Sequence, residues 1–215
     1  MLRTLHLLIR LEWMLERRSP TAVYSLLFYG LLLAFTIGLA YHQPLPANTW
    51  AVLYMIAQAF VAITAVGKSF LAEPAGIAYY RHQLARPAQQ MLARLLYNAL
   101  LMLLLQLLLT LAFLLFVPRQ GGVPAAVWAL AGLTALAYAA ALTLNAALAS
   151  AGSQKSMLMA ILSLPVQLPI LLTGIGALQK LFVALPYGRD LQALAAMALG
   201  FGLLSYILYP FIARD

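Results

Sequence analysis

The sequence predicts an all-α, polytopic membrane protein with six transmembrane helices. Three observations carry that expectation. Of 215 residues, 65% are hydrophobic and only 8% are charged. Apolar runs of about twenty residues recur along the chain, and at about 1.5 Å per residue each can cross a hydrocarbon layer of about 30 Å. The Lys and Arg residues fall in the gaps between those runs. A chain of this length holds one such membrane domain and has no room for an added soluble enzyme domain. The formal charge of +8 does not point to nucleic acid, because the basic residues form no stripe suited to a groove. Anionic headgroups, which attract a nearby basic residue by about 1 kcal/mol, are the better partner, and so the bilayer is the expected surface. The absence of cysteine excludes disulfides, thiolate metal sites and cysteine nucleophiles.

Taken in order, residues 1–18 form an amphipathic interfacial helix. Arg3, Arg10 and Arg17 recur every seven residues on one face, with Leu7, Leu8, Leu11, Met14 and Leu15 on another. Arg10, Glu12 and Glu16 interrupt the apolar core that a cleavable signal needs. Ser19-Pro20 supplies a cap and a first-turn proline, and the first span is expected at 21–41. After the turn His42-Gln43-Pro44-Leu45-Pro46 the second span, 48–66, opens with Trp50 and Tyr54, ring types that favour the headgroup level. Residues 67–90 form the longest polar interval, a cytoplasmic coupling loop in which Pro74 can start a short helix and Pro87 the next long one. The third span, 91–117, is leucine-rich. The fourth, 125–151, is alanine-rich, which suits close packing. The fifth, 156–176, carries Pro165 and Pro169 and should be kinked or broken there, and buried so that neighbours satisfy the freed carbonyls. Residues 177–190 read as an outer re-entrant hairpin. The sixth span, 191–212, has Ala198 and Gly202 four apart as a small-residue face.

With six spans, ten basic residues fall on the side of the termini: Arg3, Arg10, Arg17, Arg18, Lys68, Arg81, Arg86, Arg94, Lys155 and Arg214. Three fall on the other: Arg119, Lys180 and Arg189. Basic residues favour the cytoplasmic face, so both termini are expected there.

Several chemistries fail on inventory. Ala62 to Ser69 matches a loose phosphate-loop pattern, small-x4-Gly-Lys-Ser, but it ends an apolar span rather than following a strand. Alanine stands at the first glycine position, and no strand ending in aspartate follows to hold magnesium. None of the five acids lies in a span, so neither a paired-carboxylate site nor an intramembrane proton relay is expected. The three histidines, His6, His42 and His82, are scattered. His42 could serve as an axial ligand to an iron porphyrin at the outer surface, but a headgroup-level turn histidine is the commoner role. Tyr79-Tyr80 beside Arg81 suits a partner's groove as well as it suits a lipid surface. No polar ring recurs within the spans, which disfavours a channel.

The pattern basic-x-Phe-x-x-acid-x-x-Gly, here Lys68, Phe70, Glu73 and Gly76, ends the second span. A later run, LASAGSQKSMLMAILSLPVQLPILL, places a Ser/Gly/Lys turn before a helix with Pro165 and Pro169. With the basic N-terminal helix and six-span layout, these features resemble the CcmB family (haem exporter protein B), over about residues 1–212. At Tyr79-Tyr80 the chain departs from the acidic and leucine residues more usual there. The resemblance implies an ABC-2 type exporter permease of cytochrome c biogenesis in the bacterial inner membrane, working as a homodimer. It implies no cofactor and no enzymatic activity in this chain, ATP being bound by a separate ABC ATPase subunit. Lys68, Phe70, Glu73, Gly76, Tyr79, Tyr80 and Arg81 would form the ATPase-coupling element. A companion haem-handling membrane protein and a haem chaperone would be further partners. The role would be haem export or ATP-driven release of the haem-loaded chaperone. The alternatives are a non-transporting scaffold for haem-handling proteins and an ABC-2 permease for another amphipathic substrate.

Overall fold

The computed structural model describes residues 7–10, 14, 20–41, 43–71, 87–150, 152 and 154–212. Six long helices carry almost all of them: α1 Pro20–Ala40, α2 Ala47–Leu71, α3 Pro87–Phe116, α4 Ala126–Ser150, α5 Lys155–Phe182 and α6 Gly188–Ile212. The molecule is thus all-helical with the long apolar helices of a polytopic membrane protein. Among the described residues five helices, α2 to α6, are long and apolar enough to cross a bilayer. The side chains of α1 are described only from Leu27, leaving a shorter apolar helix, Leu27–Ala40. Of the N-terminal helix expected over 1–18, residues 7–10 and 14 are helical and the remainder lies outside the described residues.

Prolines start α1 and α3, where the missing N–H costs nothing because no carbonyl precedes it in the helix. Short connections then force successive helices to run antiparallel. Residues 41–46, 117–125 and 183–187 gather at one end of the bundle, the turn end. There the Leu45 N–H donates to Pro118 O at 2.9 Å, and the Gln120 N–H donates to Leu45 O at 3.0 Å. This tie joins the α1–α2 and α3–α4 connections. Gly121 and Gly122 reverse the second of them at φ +79° and +72°, conformations open to glycine at little cost. At the opposite end α2 stops at Leu71 and α3 starts at Pro87, and α4 stops at Ser150 and α5 starts at Lys155.

Helix α4 is the axis of the bundle, packing against α2, α3, α5 and α6. Most of its alanines, among them Ala135, Ala137, Ala139, Ala141, Ala146 and Ala147, are buried, and their small side chains let four neighbours approach at once. Helix α1 rests on α2 and α3 at one edge.

The helix of the fifth span runs through Pro165 and Pro169 without a break. In two respects the span departs from expectation. Both prolines lie on an exposed face with Met157, Ile161, Leu164, Leu168 and Leu172, so the helix is a partly lipid-facing element rather than one enclosed by neighbours. The hairpin expected over 177–190 is instead the last turns of α5, a short turn, and the first turn of α6. The physical reason is the stop signal. Leu185 N–H donates to Lys180 O at 2.8 Å and Ala184 N–H to Leu181 O at 3.3 Å, with Ala184 left-handed at φ 55°. That is a Schellman termination, and it falls after Phe182 rather than at Gly176.

Candidate functional site

Trp50 and Tyr54 stand one helical turn apart on α2 and share a face. Their rings stack at 4.8 Å, and Phe113 of α3 meets them edge-on at 5.7 and 5.2 Å. Phe182, the last residue of α5, closes on Trp50 at 5.6 Å. The fully buried indole satisfies its N–H by donating to Val117 O at 2.9 Å. Over this plug the Arg119 guanidinium lies 4.0 Å from the Phe182 ring centroid and donates through Nε to Gly122 O. Burial lowers the Arg119 pKa, because a partly desolvated cation loses hydration. Lys180 Nζ donates to both carboxylate oxygens of Asp190 at 2.9 and 2.7 Å, tying α5 to α6. The aromatic plug, the Leu45–Arg119 tie and this ion pair hold the turn end closed.

Directly beneath the plug a polar chain crosses three helices. Thr110 Oγ1 donates to Gln106 O at 2.6 Å within α3. A hydroxyl has one proton, so in the 2.5 Å contact between Tyr54 and Thr110 the phenol is the donor. Gln58 Nε2 in turn donates to Tyr54 Oη at 2.7 Å. Thr134 Oγ1 of α4 reaches Gln58 Oε1 at 3.0 Å, and Gln106 Nε2 reaches Gln58 O at 3.3 Å. All five side chains are buried. Gln58 stands eleven residues after the start of α2, about 16 Å along the axis. The chain therefore sits near the mid-depth of the bundle. Its amide, phenol and aliphatic hydroxyl groups can orient neutral hydrogen-bonding partners and fix helix register; they supply no charged group.

A second polar set lies nearer the opposite end. Asn98 Nδ2 of α3 donates to Thr143 Oγ1 of α4 at 2.9 Å, and Asn145 Nδ2 donates to Leu162 O of α5 at 3.1 Å. Four buried atoms, Asn98 Oδ1, Gln106 Oε1, Tyr138 Oη and Gln167 Nε2, have no hydrogen-bond partner among the described residues. Sequence reasoning missed this interior. Each glutamine or asparagine is a single polar residue in a long apolar run. The available signal was spacing: Tyr54/Gln58 and Gln106/Thr110 are i,i+4 pairs, which share a helix face.

Of the sequence-predicted site residues, Lys68 and Phe70 fall in the last turns of α2, with only their backbone described. Glu73, Gly76, Tyr79, Tyr80 and Arg81 lie outside the described residues, as does His42. The helix-kink pair, Pro165 and Pro169, is brought onto the outer face of α5, remote in character from the polar chain. Among the described residues no group of three or more His, Asp or Glu side chains could hold a metal ion. Compared with known proteins, the chain matches no family model and no curated protein.

Proposed function

We propose that this chain is the membrane permease subunit of an ABC-type export complex, driven by ATP hydrolysis in a separate subunit that docks on residues 67–90. The observation that carries the reading is the partition of charge along the bundle. Lys68, Arg94 and Lys155 stand in α2, α3 and α5 toward one end, and Arg81 and Arg86 lie between α2 and α3 in the sequence, while the one acid in these helices, Asp190, is in the first turn of α6 and paired with Lys180. A membrane domain without an internal charge relay takes its energy from outside the bilayer. The long basic connection is the part a soluble subunit can reach. Basic residues favour the cytoplasmic face, which puts both chain termini in the cytoplasm of a bacterial inner membrane. Glu73, preceding the helix that Pro74 can start, would favour that helix's positive N-terminal end.

The substrate reading follows the CcmB resemblance: haem, or a haem-loaded chaperone released by ATP hydrolysis, with the chain acting as a homodimer. The test is co-reconstitution with an ABC ATPase subunit, the partner that this reading requires. ATPase activity is expected to rise when the two are joined, and Glu73→Ala or a Tyr79→Ala/Tyr80→Ala double variant is expected to abolish the rise. Unchanged stimulation in both variants would remove the coupling role from this loop. Continued cytochrome c maturation with a hydrolysis-dead ATPase would favour the scaffold alternative.

A further inference from the structure

Arg119 follows Phe116, the last residue of α3, by three positions, which puts it where an apolar helix stops and headgroups begin. Its guanidinium is held on two sides. Nε donates to Gly122 O, and one face lies 4.0 Å from the centroid of the Phe182 ring. These contacts fix the plane and leave the terminal fork, Nη1 and Nη2, without a hydrogen-bond partner among the described residues. Beside the fork the chain keeps room. A Cβ at Gly121 would stand 3.8 Å from Nη2, and one at Gly122 would meet nothing within 4 Å. The cation also lacks a counter-ion. Asp190 is the one acid among the described residues, and both of its oxygens accept from Lys180 Nζ. A guanidinium partly withdrawn from water, with no carboxylate to answer it, gains most from an anion supplied from outside the chain.

We propose that Arg119 and the Gly121-Gly122 turn form an oxyanion site for the phosphate group of a phospholipid headgroup. A planar fork gives two parallel N–H bonds to two oxygens of one phosphate, a geometry that an ammonium cannot copy. The Phe182 ring seals one face of the guanidinium, so the anion arrives edge-on, past glycines that carry no side chain to block it. The same phosphate chemistry could come from a lipid or from the free anion, and the surface around the site favours the lipid. Val183 and Leu185, just after Phe182, are 63% and 54% exposed, and Leu115, four residues before Arg119, is 69% exposed. Acyl chains cover that apolar surface while the phosphate stays at the fork. Because Arg119 rests on the last residue of α5, a bound headgroup pins the α3–α4 connection to that helix. This site stands independently of the ATPase-coupled reading.

The test uses the full chain in dodecyl maltoside micelles doped with dioleoyl phosphatidylglycerol or with dioleoylglycerol, which has the same chains and no phosphate. Modification of each arginine by phenylglyoxal is read by mass spectrometry of the peptide that carries it. Phosphatidylglycerol is expected to slow modification of Arg119 about ten-fold relative to dioleoylglycerol, the factor that a charge-assisted hydrogen bond supplies. Arg189, exposed at the same end, should be little changed. Native mass spectrometry should show a retained phosphatidylglycerol that Arg119→Lys, which keeps the charge and loses the fork, holds about ten-fold less tightly. If Arg119→Lys fails to fold, the modification experiment on the wild type stands alone. Unchanged modification of Arg119, equal slowing of both arginines, or equal retention by the wild type and Arg119→Lys would overturn the proposal. Only the general attraction of basic residues to anionic headgroups would then act here. Protection of Arg119 by millimolar inorganic phosphate in the dioleoylglycerol micelles would assign the site to the free anion and overturn the headgroup assignment.

Discussion

Tyr54 is the residue on which the interior turns. Its hydroxyl accepts from Gln58 and donates to Thr110, joining α2 to α3, while its ring completes the aromatic plug above. Tyr54→Phe keeps the ring and removes only the oxygen, leaving a buried amide donor and a buried hydroxyl acceptor unpaired. Interhelical hydrogen bonds in bilayers are individually modest, so the expected loss is about 1–2 kcal/mol, measurable as a lower unfolding midpoint in detergent. Two glycines make a paired prediction at the same scale. A Cβ at Gly38 would collide with the Phe116 carbonyl oxygen, which is backbone and cannot swing away. A Cβ at Gly174 would meet the thioether end of Met55, a flexible side chain that can repack. Gly38→Ala is expected to cost about 1–3 kcal/mol and Gly174→Ala less than about 1 kcal/mol, and thermal unfolding of the two variants in one detergent compares them directly.

At the scale of the element, α5 shows what patterning reveals and what it hides. Apolar runs between charged gaps are legible, and the helices α2, α3, α4 and α6 begin and end within a few residues of the expected spans. The end of α5 was not legible, because Pro165, Pro169, Gly174 and Gly176 all read as breakers in a water-soluble context. In a bilayer a helix persists through such residues, since unpaired backbone is costlier there than strain. What stops α5 is hydrogen bonding after Phe182, in a motif whose left-handed position is held by Ala184. Glycine relieves a left-handed residue of its Cβ contact at some cost in unfolded-state freedom. Ala184→Gly is therefore expected to raise stability by about 0.5–1 kcal/mol. By contrast Asp190→Asn, which breaks an ion pair whose lysine side chain is 42% exposed, should change it by less than about 1 kcal/mol. Parallel denaturation in detergent distinguishes the two. The mid-depth polar chain was equally hidden: Gln58, Gln106 and Thr134 come from three helices, and only packing brings them together.

At the scale of the whole molecule the two ends are built differently. The turn end is tied by the Leu45–Arg119 bridge, plugged by Trp50, Phe113 and Phe182, and clasped by Lys180–Asp190. From the opposite end, where α2 stops and α3 starts, the sequence runs through residues 72–86, with basic residues in that connection and flanking it. A soluble subunit can reach only what lies outside the bilayer, and the length and basic charge of this connection support its assignment to a partner subunit. The assignment requires the connection to face the cytoplasm. Because the chain contains no cysteine, single substitutions report sidedness without a background. Gln120→Cys, on the exposed surface of the turn end, is expected to react with a membrane-impermeant maleimide in intact spheroplasts. Ala78→Cys, in the basic connection, is expected to react only after the membrane is permeabilised. The reverse pattern would place the basic connection outside the cell, out of reach of any ATP-hydrolysing subunit. The permease reading would then fail.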